Sequence, residues 1–131
     1  MTVVLDSWAI VRLLEGAEPA AGRVQEQIDS GETAMSWITL GEVFYVLRRE
    51  HGEAAAGLAI QDIEACITVV LPDRGLILEA ARIKSDYPLS YADAFAAATA
   101  VRLSASLWTG DPELMLENAP WLVHDPSGDE R

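Results

Sequence analysis

Four acidic residues stand out by where they fall in the pattern of apolar residues: Asp6, Glu42, Asp93 and Asp111. Asp6 directly follows the β-branched run Thr2-Val3-Val4-Leu5, and Asp111 follows Leu107-Trp108 after Thr109-Gly110. Asp93 falls in the first turn of a segment that Ser90 would cap, and Glu42 lies six residues beyond Ser36. If the short apolar runs are parallel strands, all four carboxylates meet at one edge of a sheet, where open α/β sheets place their sites. Carboxylates gathered with no basic neighbour in sequence repel one another. The physical remedies are raised pKa values or bound hard cations with oxygen ligands.

The same residues also have structural readings. Asp6 and Asp111 occupy ordinary N-cap positions, and Pro112 is well suited to the first helical position after Asp111. Ser90-Tyr91-Ala92-Asp93 has the form of a capping box, with Asp93 reaching back to the Ser90 amide. Glu42 differs. Its neighbours Leu40, Val43, Phe44, Tyr45, Val46 and Leu47 make the segment apolar nearly all round, and a lone carboxylate there is costly unless paired or metal-bound.

The elements that must position these acids follow from periodicity. Short buried strands are expected at Thr2-Val3-Val4-Leu5, Thr33-Ala34-Met35, Thr68-Val69-Val70-Leu71, Ser106-Leu107-Trp108-Thr109 and Trp121-Leu122-Val123. Helical spacing lies between them: from Asp6 to Gly16, from Pro19 to Gly31, from Ser36 to about Arg49, through Ala56, Ala59, Ile60, Ile63 and Ile67, through Leu76, Ala80 and Ile83, and from Ser90 to about Leu103. Asp111-Pro112 starts a further short helix. Strands alternating with helices predict an α/β fold with a mostly parallel sheet. Cys66 falls on the apolar stripe of Ile63 and Ile67 and reads as a small core residue.

Composition sets the outer limits. The chain has 131 residues, half of them apolar and spread along its length, which suits a single domain with its own core. No apolar run reaches the roughly 20 residues that a bilayer span needs. The first residues lack the basic and long apolar regions of a secretory signal, and one cysteine supports neither a disulfide nor a zinc cluster, so a cytoplasmic setting is expected. The net charge of −12 argues against tight, metal-free binding to a phosphate backbone. Of the cations, Arg12, Arg48, Arg49, Arg82 and Lys84 fall near the acidic motifs, where they serve equally as phosphate contacts or as complements to helix ends.

Taken in order, Val3-Val4-Leu5-Asp6-Ser7, Ser36-Trp37-Ile38-Thr39-Leu40-Gly41-Glu42, Leu89-Ser90-Tyr91-Ala92-Asp93-Ala94 and Thr109-Gly110-Asp111 resemble the motifs of the PIN-domain ribonucleases. The size is similar to that of the VapC toxins of bacterial toxin–antitoxin pairs, and the resemblance runs from Val3 to about Val123. It implies a three-layer PIN-like α/β fold: a central, mostly parallel sheet of four to five short strands flanked by helices. One domain would span residues 1–124, with a polar, frayed tail over 125–131. It also implies that Asp6, Glu42, Asp93 and Asp111 form an acidic quartet for Mg²⁺ or Mn²⁺. Asp6 and Asp93 would hold the principal ion and Ser7 and Thr109 would support the quartet. The implied activity is endonucleolytic cleavage of RNA by metal-activated water, in a toxin neutralised by an antitoxin and able to form homodimers and toxin–antitoxin hetero-oligomers. Trp8 departs from the small residue usual at its position. His51 and His124, at a helix end and in the tail, leave no histidine pair near the motifs.

Two readings of other classes stand beside this one. A phosphatase or phospho-receiver would use Asp6 as nucleophile, but wants an acid at position 8, where Trp stands, and a late lysine, whereas the chain's one lysine is Lys84. A non-catalytic interaction module would use the acids only as caps and the apolar segment Trp37 to Leu47 to recruit another protein.

Overall fold

The computed structural model describes residues 2–128. Its elements run β1 (Val3–Leu5), α1 (Ser7–Glu15), α2 (Ala20–Asp29), β2 (Thr33–Ser36), α3 (Trp37–His51), α4 (Glu53–Cys66), β3 (Thr68–Val70), α5 (Arg74–Asp86), α6 (Tyr91–Arg102), β4 (Ser106–Trp108), a 3-10 turn (Pro112–Leu114) and β5 (Leu122–His124). Capping chemistry sets most helix starts. Asp6, Ser36, Asp73 and Ser90 each accept a backbone N–H of the helix that follows. Gly16 ends α1 at φ 67°, a left-handed conformation that glycine adopts without strain.

The five strands form one parallel sheet in the order β3-β2-β1-β4-β5. Side chains alternate across it, and two apolar clusters result. On one face Val4, Ala34 and Leu107 pack with Leu76, Ala80 and Ile83 of α5 and the alanines of α6. On the other, Val3, Leu5, Met35 and Trp108 pack with Ile10, Val24, Leu40, Val43 and Ile63 from α1 to α4. The result is helix, sheet, helix, the expected three-layer α/β architecture. Every residue of α6 from Asp93 to Ala100 is buried, and five are alanine, so this helix lies close against the sheet. Asp93 is thereby carried on the most deeply packed helix of the molecule.

Four expectations need correction. Thr68–Val70 and Leu122–His124 are the two edge strands, exposed to half-buried rather than buried, because among the described residues β3 pairs only with β2 and β5 only with β4. Cys66 is exposed: it ends α4 at the margin of the Ile63–Ile67 stripe, beside an open groove shared with Leu13 and Leu14. His124 belongs to β5, its ring 4.5 Å from that of Trp108, and not to a tail. The polar tail is tied down as far as Gly128, because Arg23 donates to the carbonyls of Pro126 (2.8 Å) and Gly128 (2.6 Å). Residues 129–131, where fraying was also expected, lie outside those described.

Candidate metal centre

All the strands point the same way, so the residues that follow them gather at one sheet edge. Asp6 leaves β1 and caps α1, its Oδ1 accepting from the Ala9 amide at 3.0 Å. It is 1% exposed, and its Oδ2 is buried with no hydrogen-bond partner among the described residues. An orphaned carboxylate oxygen is expensive in a protein interior. Burial raises the Asp6 pKa to about 6, against the pull of the Thr109 hydroxyl and the Ala9 amide, and the charges of Asp111 and Glu42 push it further up.

Asp93 enters from α6. Ser90 Oγ accepts its amide at 3.1 Å, which fixes the first turn. The residue is 6% exposed, and its pKa is raised to about 8, first by burial, then by a hydrogen bond with Glu113 and by the charges of Asp111 and Asp6. The capping box read from the sequence is thus half realised: the serine caps, while the aspartate turns to another carboxyl.

Asp111 follows β4 and caps the 3-10 turn, accepting the Glu113 amide at 3.0 Å. Its own amide donates to Thr109 Oγ1 at 2.9 Å. Carboxylate oxygens of Asp93, Asp111 and Glu113 all lie within 4.8 Å of one another. Glu42, on α3, lines the same cleft of about 470 Å³, as do Ser7, Ser90, Asp93, Asp111 and Glu113. It is half-buried, not enclosed as its apolar neighbours suggest, because Thr39, Leu40 and Val43 take the core side of α3 while Ile38 and Tyr45 face out. Three of the four acids singled out from the sequence line this cleft, and Asp6 is buried beside it, near enough to Asp111 and Glu42 for their charges to raise its pKa. The acid missed is Glu113, two residues after the capping Asp111; the signal was present in Asp111-Pro112-Glu113, but an acid in the first turn of any helix is commonplace.

A model of the PIN domain matches residues 3–119. This chain belongs to the PIN domain family. No curated protein matches the sequence. Solved structures share the fold at low identity. VapBC-1 from nontypeable Haemophilus influenzae matches at TM-score 0.76 and 21% identity, over 98% of this chain and 100% of that one. DNA-bound VapBC from Salmonella typhimurium matches at 0.78 and 16%, over 96% and 98%. VapC20 of Mycobacterium tuberculosis, a toxin that cleaves the sarcin–ricin loop, matches at 0.70 and 18%, over 86% and 92%.

The donors of this PIN domain fit a hard divalent cation. All are carboxylate oxygens, one of them buried and unpartnered, and two of the acids are held above their ordinary pKa by burial and mutual repulsion. A cation would relieve each of these costs at once. Other groups flank the centre. Trp8 rests against Gly110, leaving no room there for a Cβ. Arg12 borders the cleft and pairs with Glu15 at 3.0 Å. Arg48 is drawn away to Glu53 (2.8 Å) and Arg82 to Glu79 (3.3 Å), and Lys84 is exposed on α5.

Proposed function

We propose that this chain is a VapC-like toxin, an endoribonuclease that hydrolyses RNA phosphodiesters with Mg²⁺ or Mn²⁺ and is restrained by a cognate antitoxin. The observation that supports it is the meeting of Glu42, Asp93, Asp111 and Glu113 in one open cleft with Asp6 buried beside it, the five coming from four separate segments. In this reading Asp93, Asp111 and Glu113 supply clustered oxygens for the cation and Asp6 its unpartnered Oδ2, while Glu42 completes the shell or orients water. When bound, the cation supplies Lewis acidity at the phosphodiester and lowers the pKa of the attacking water.

The chain's own contribution is positioning. The Ala9 amide holds Asp6 Oδ1 and so leaves Oδ2 for the site. Thr109, fully buried, receives the Asp111 amide and fixes the turn that carries both Asp111 and Glu113. Ser90 does the same for the turn carrying Asp93. Ser7 stands at the cleft as a further hydroxyl.

Restraint by a partner is supported by the likeness to structures of toxin–antitoxin complexes, among them one from Klebsiella pneumoniae at TM-score 0.72 and 18% identity, over 95% of this chain and 98% of that one. A chain of net charge −12 suits a basic partner, whose Arg or Lys would enter the carboxylate cleft in place of the metal. A homodimer, a toxin–antitoxin hetero-oligomer and a cytoplasmic setting belong to the same reading; among the described residues no helix is long and apolar enough to cross a membrane. The test is cleavage of RNA by the purified chain with Mg²⁺ or Mn²⁺, with EDTA, and after Asp93→Asn. Cleavage is expected to need the metal and to fall at least about 100-fold in the variant. Equal cleavage in EDTA, or by the variant, would overturn the reading.

A further inference from the structure

The cleft that holds the carboxylates has two aromatic walls that metal binding leaves unexplained. On α1, Trp8 and Arg12 stand one turn apart, with the guanidinium carbon 4.8 Å from the ring centroid. On α3, Tyr45 and Arg49 repeat the arrangement at 5.7 Å. Trp8, Arg12 and Tyr45 line the same cleft as the acids. Arg49 lies one turn beyond Tyr45, on the helix face that also carries Glu42 and Val46. These are the only cation–π pairs among the described residues, and the aromatic ring of each lines this one cleft.

The pairing has a physical use. A guanidinium laid on an aromatic face is held in orientation while its N–H edge stays available to a phosphate. Arg12 is the one positive side chain lining a cleft that holds four carboxylates, in a chain of net charge −12. A polyanion approaching that cleft is repelled unless cations stand at its rim. The Arg12–Glu15 ion pair does not disqualify it: the side chains are 35% and 57% exposed, and such solvent-accessible pairs exchange readily. The two aromatics differ in role. Trp8 is packed against Gly110 and serves to orient Arg12. Tyr45 is 53% exposed, while its neighbours Leu40 and Val43 are buried, so its ring lies open at the cleft mouth.

We propose that Arg12 and Arg49, each held by the aromatic residue of its own helix, grip backbone phosphates of the substrate strand on the two walls of the carboxylate cleft, and that Tyr45 offers a stacking face to a base between them. The inference rests on the ribonuclease reading above.

The test measures binding apart from turnover. The full chain is titrated, with Ca²⁺ in place of Mg²⁺, into a labelled, unstructured RNA of about 12 nucleotides and followed by fluorescence anisotropy. Cleavage kinetics are measured in Mg²⁺. Arg12→Gln and Arg49→Gln are each expected to weaken binding about tenfold and to raise KM in proportion, with kcat changed less than about threefold. Tyr45→Leu should weaken binding about fivefold. Arg82→Gln on α5 removes the same charge away from the cleft and should change binding less than about twofold. Equal weakening by Arg82→Gln would show that net charge alone is being read, and would overturn the grip. So would a wild-type chain that binds and cleaves RNA while Arg12→Gln and Arg49→Gln bind as tightly as it does. A wild-type chain that does not bind RNA at all overturns the ribonuclease reading and the grip together.

Discussion

At Asp6 and Asp93, chemistry and stability pull in opposite directions. An acid whose pKa is raised by folding holds a proton in the native state that the unfolded chain has already released. Stability therefore falls as pH rises from the unfolded pKa through the folded one. For Asp6 that window runs from 3.8 to about 6, and for Asp93 from 3.8 to about 8. At pH 8 without metal, the Asp6 shift alone corresponds to a loss on the order of 3 kcal/mol. Asp6→Asn keeps the N-cap acceptor for Ala9 and removes the charge. It is expected to raise the melting temperature in EDTA at pH 8 by about 3 °C or more, and to lower it relative to wild type in saturating Mg²⁺. Thermal melts in the two buffers check this. A variant less stable than wild type in EDTA at pH 8 would refute the account of Asp6. Asp93→Asn should behave alike, since an amide there can donate to Glu113 in place of the shared proton.

The elements place these residues through close contacts, and the turn from β4 into the 3-10 helix shows it best. Gly110 lies against the Trp8 indole, whose ring atoms occupy the space a Cβ would need. Gly110→Ala must displace either the indole or the turn carrying Asp111 and Glu113. It is expected to destabilise the fold by about 1–3 kcal/mol and to weaken metal binding more than tenfold. Adding Trp8→Ala removes the clash, so the double variant should regain metal affinity; denaturant unfolding and Mn²⁺ titration give the cycle. The strand–helix order and the N-caps Asp6, Ser36, Ser90 and Asp111 were legible in the sequence because capping and periodicity are local. Packing between elements was not. Cys66 and Ile67 are adjacent on one apolar stripe, yet only Ile67 is buried, since the open groove beside α1 decides which edge is covered. Glu42 read as an enclosed charge because its neighbours are apolar, whereas the cleft that leaves it half-exposed forms only where α1, α3 and α6 meet. Glu113 went unread for the same reason, its distance to Asp93 being a tertiary fact.

Across the whole molecule, a net charge of −12 and a cluster of acids at one sheet edge make metal and proton competitors for the same oxygens. A cation binds the deprotonated carboxylates, so binding releases whatever protons the free site holds. At pH 5 the raised pKa values keep Asp6 and Asp93 largely protonated, and a cation must displace those protons. At pH 8 most of that cost has gone and the repulsion among bare carboxylates is at its largest. The stabilisation conferred by a fixed concentration of Mg²⁺ must therefore grow with pH. The expected record is a melting temperature in EDTA that declines from pH 5 to 8, a shallower decline in Mg²⁺ at about ten times the Kd of the site, and a difference that widens steadily between them. Simple screening of the net charge gives another pattern, because NaCl at matched ionic strength carries no ligand for the cluster. If NaCl reproduces the Mg²⁺ curve at every pH, the carboxylates hold no specific cation, and the raised pKa values are then a cost of the fold with no ligand to offset it.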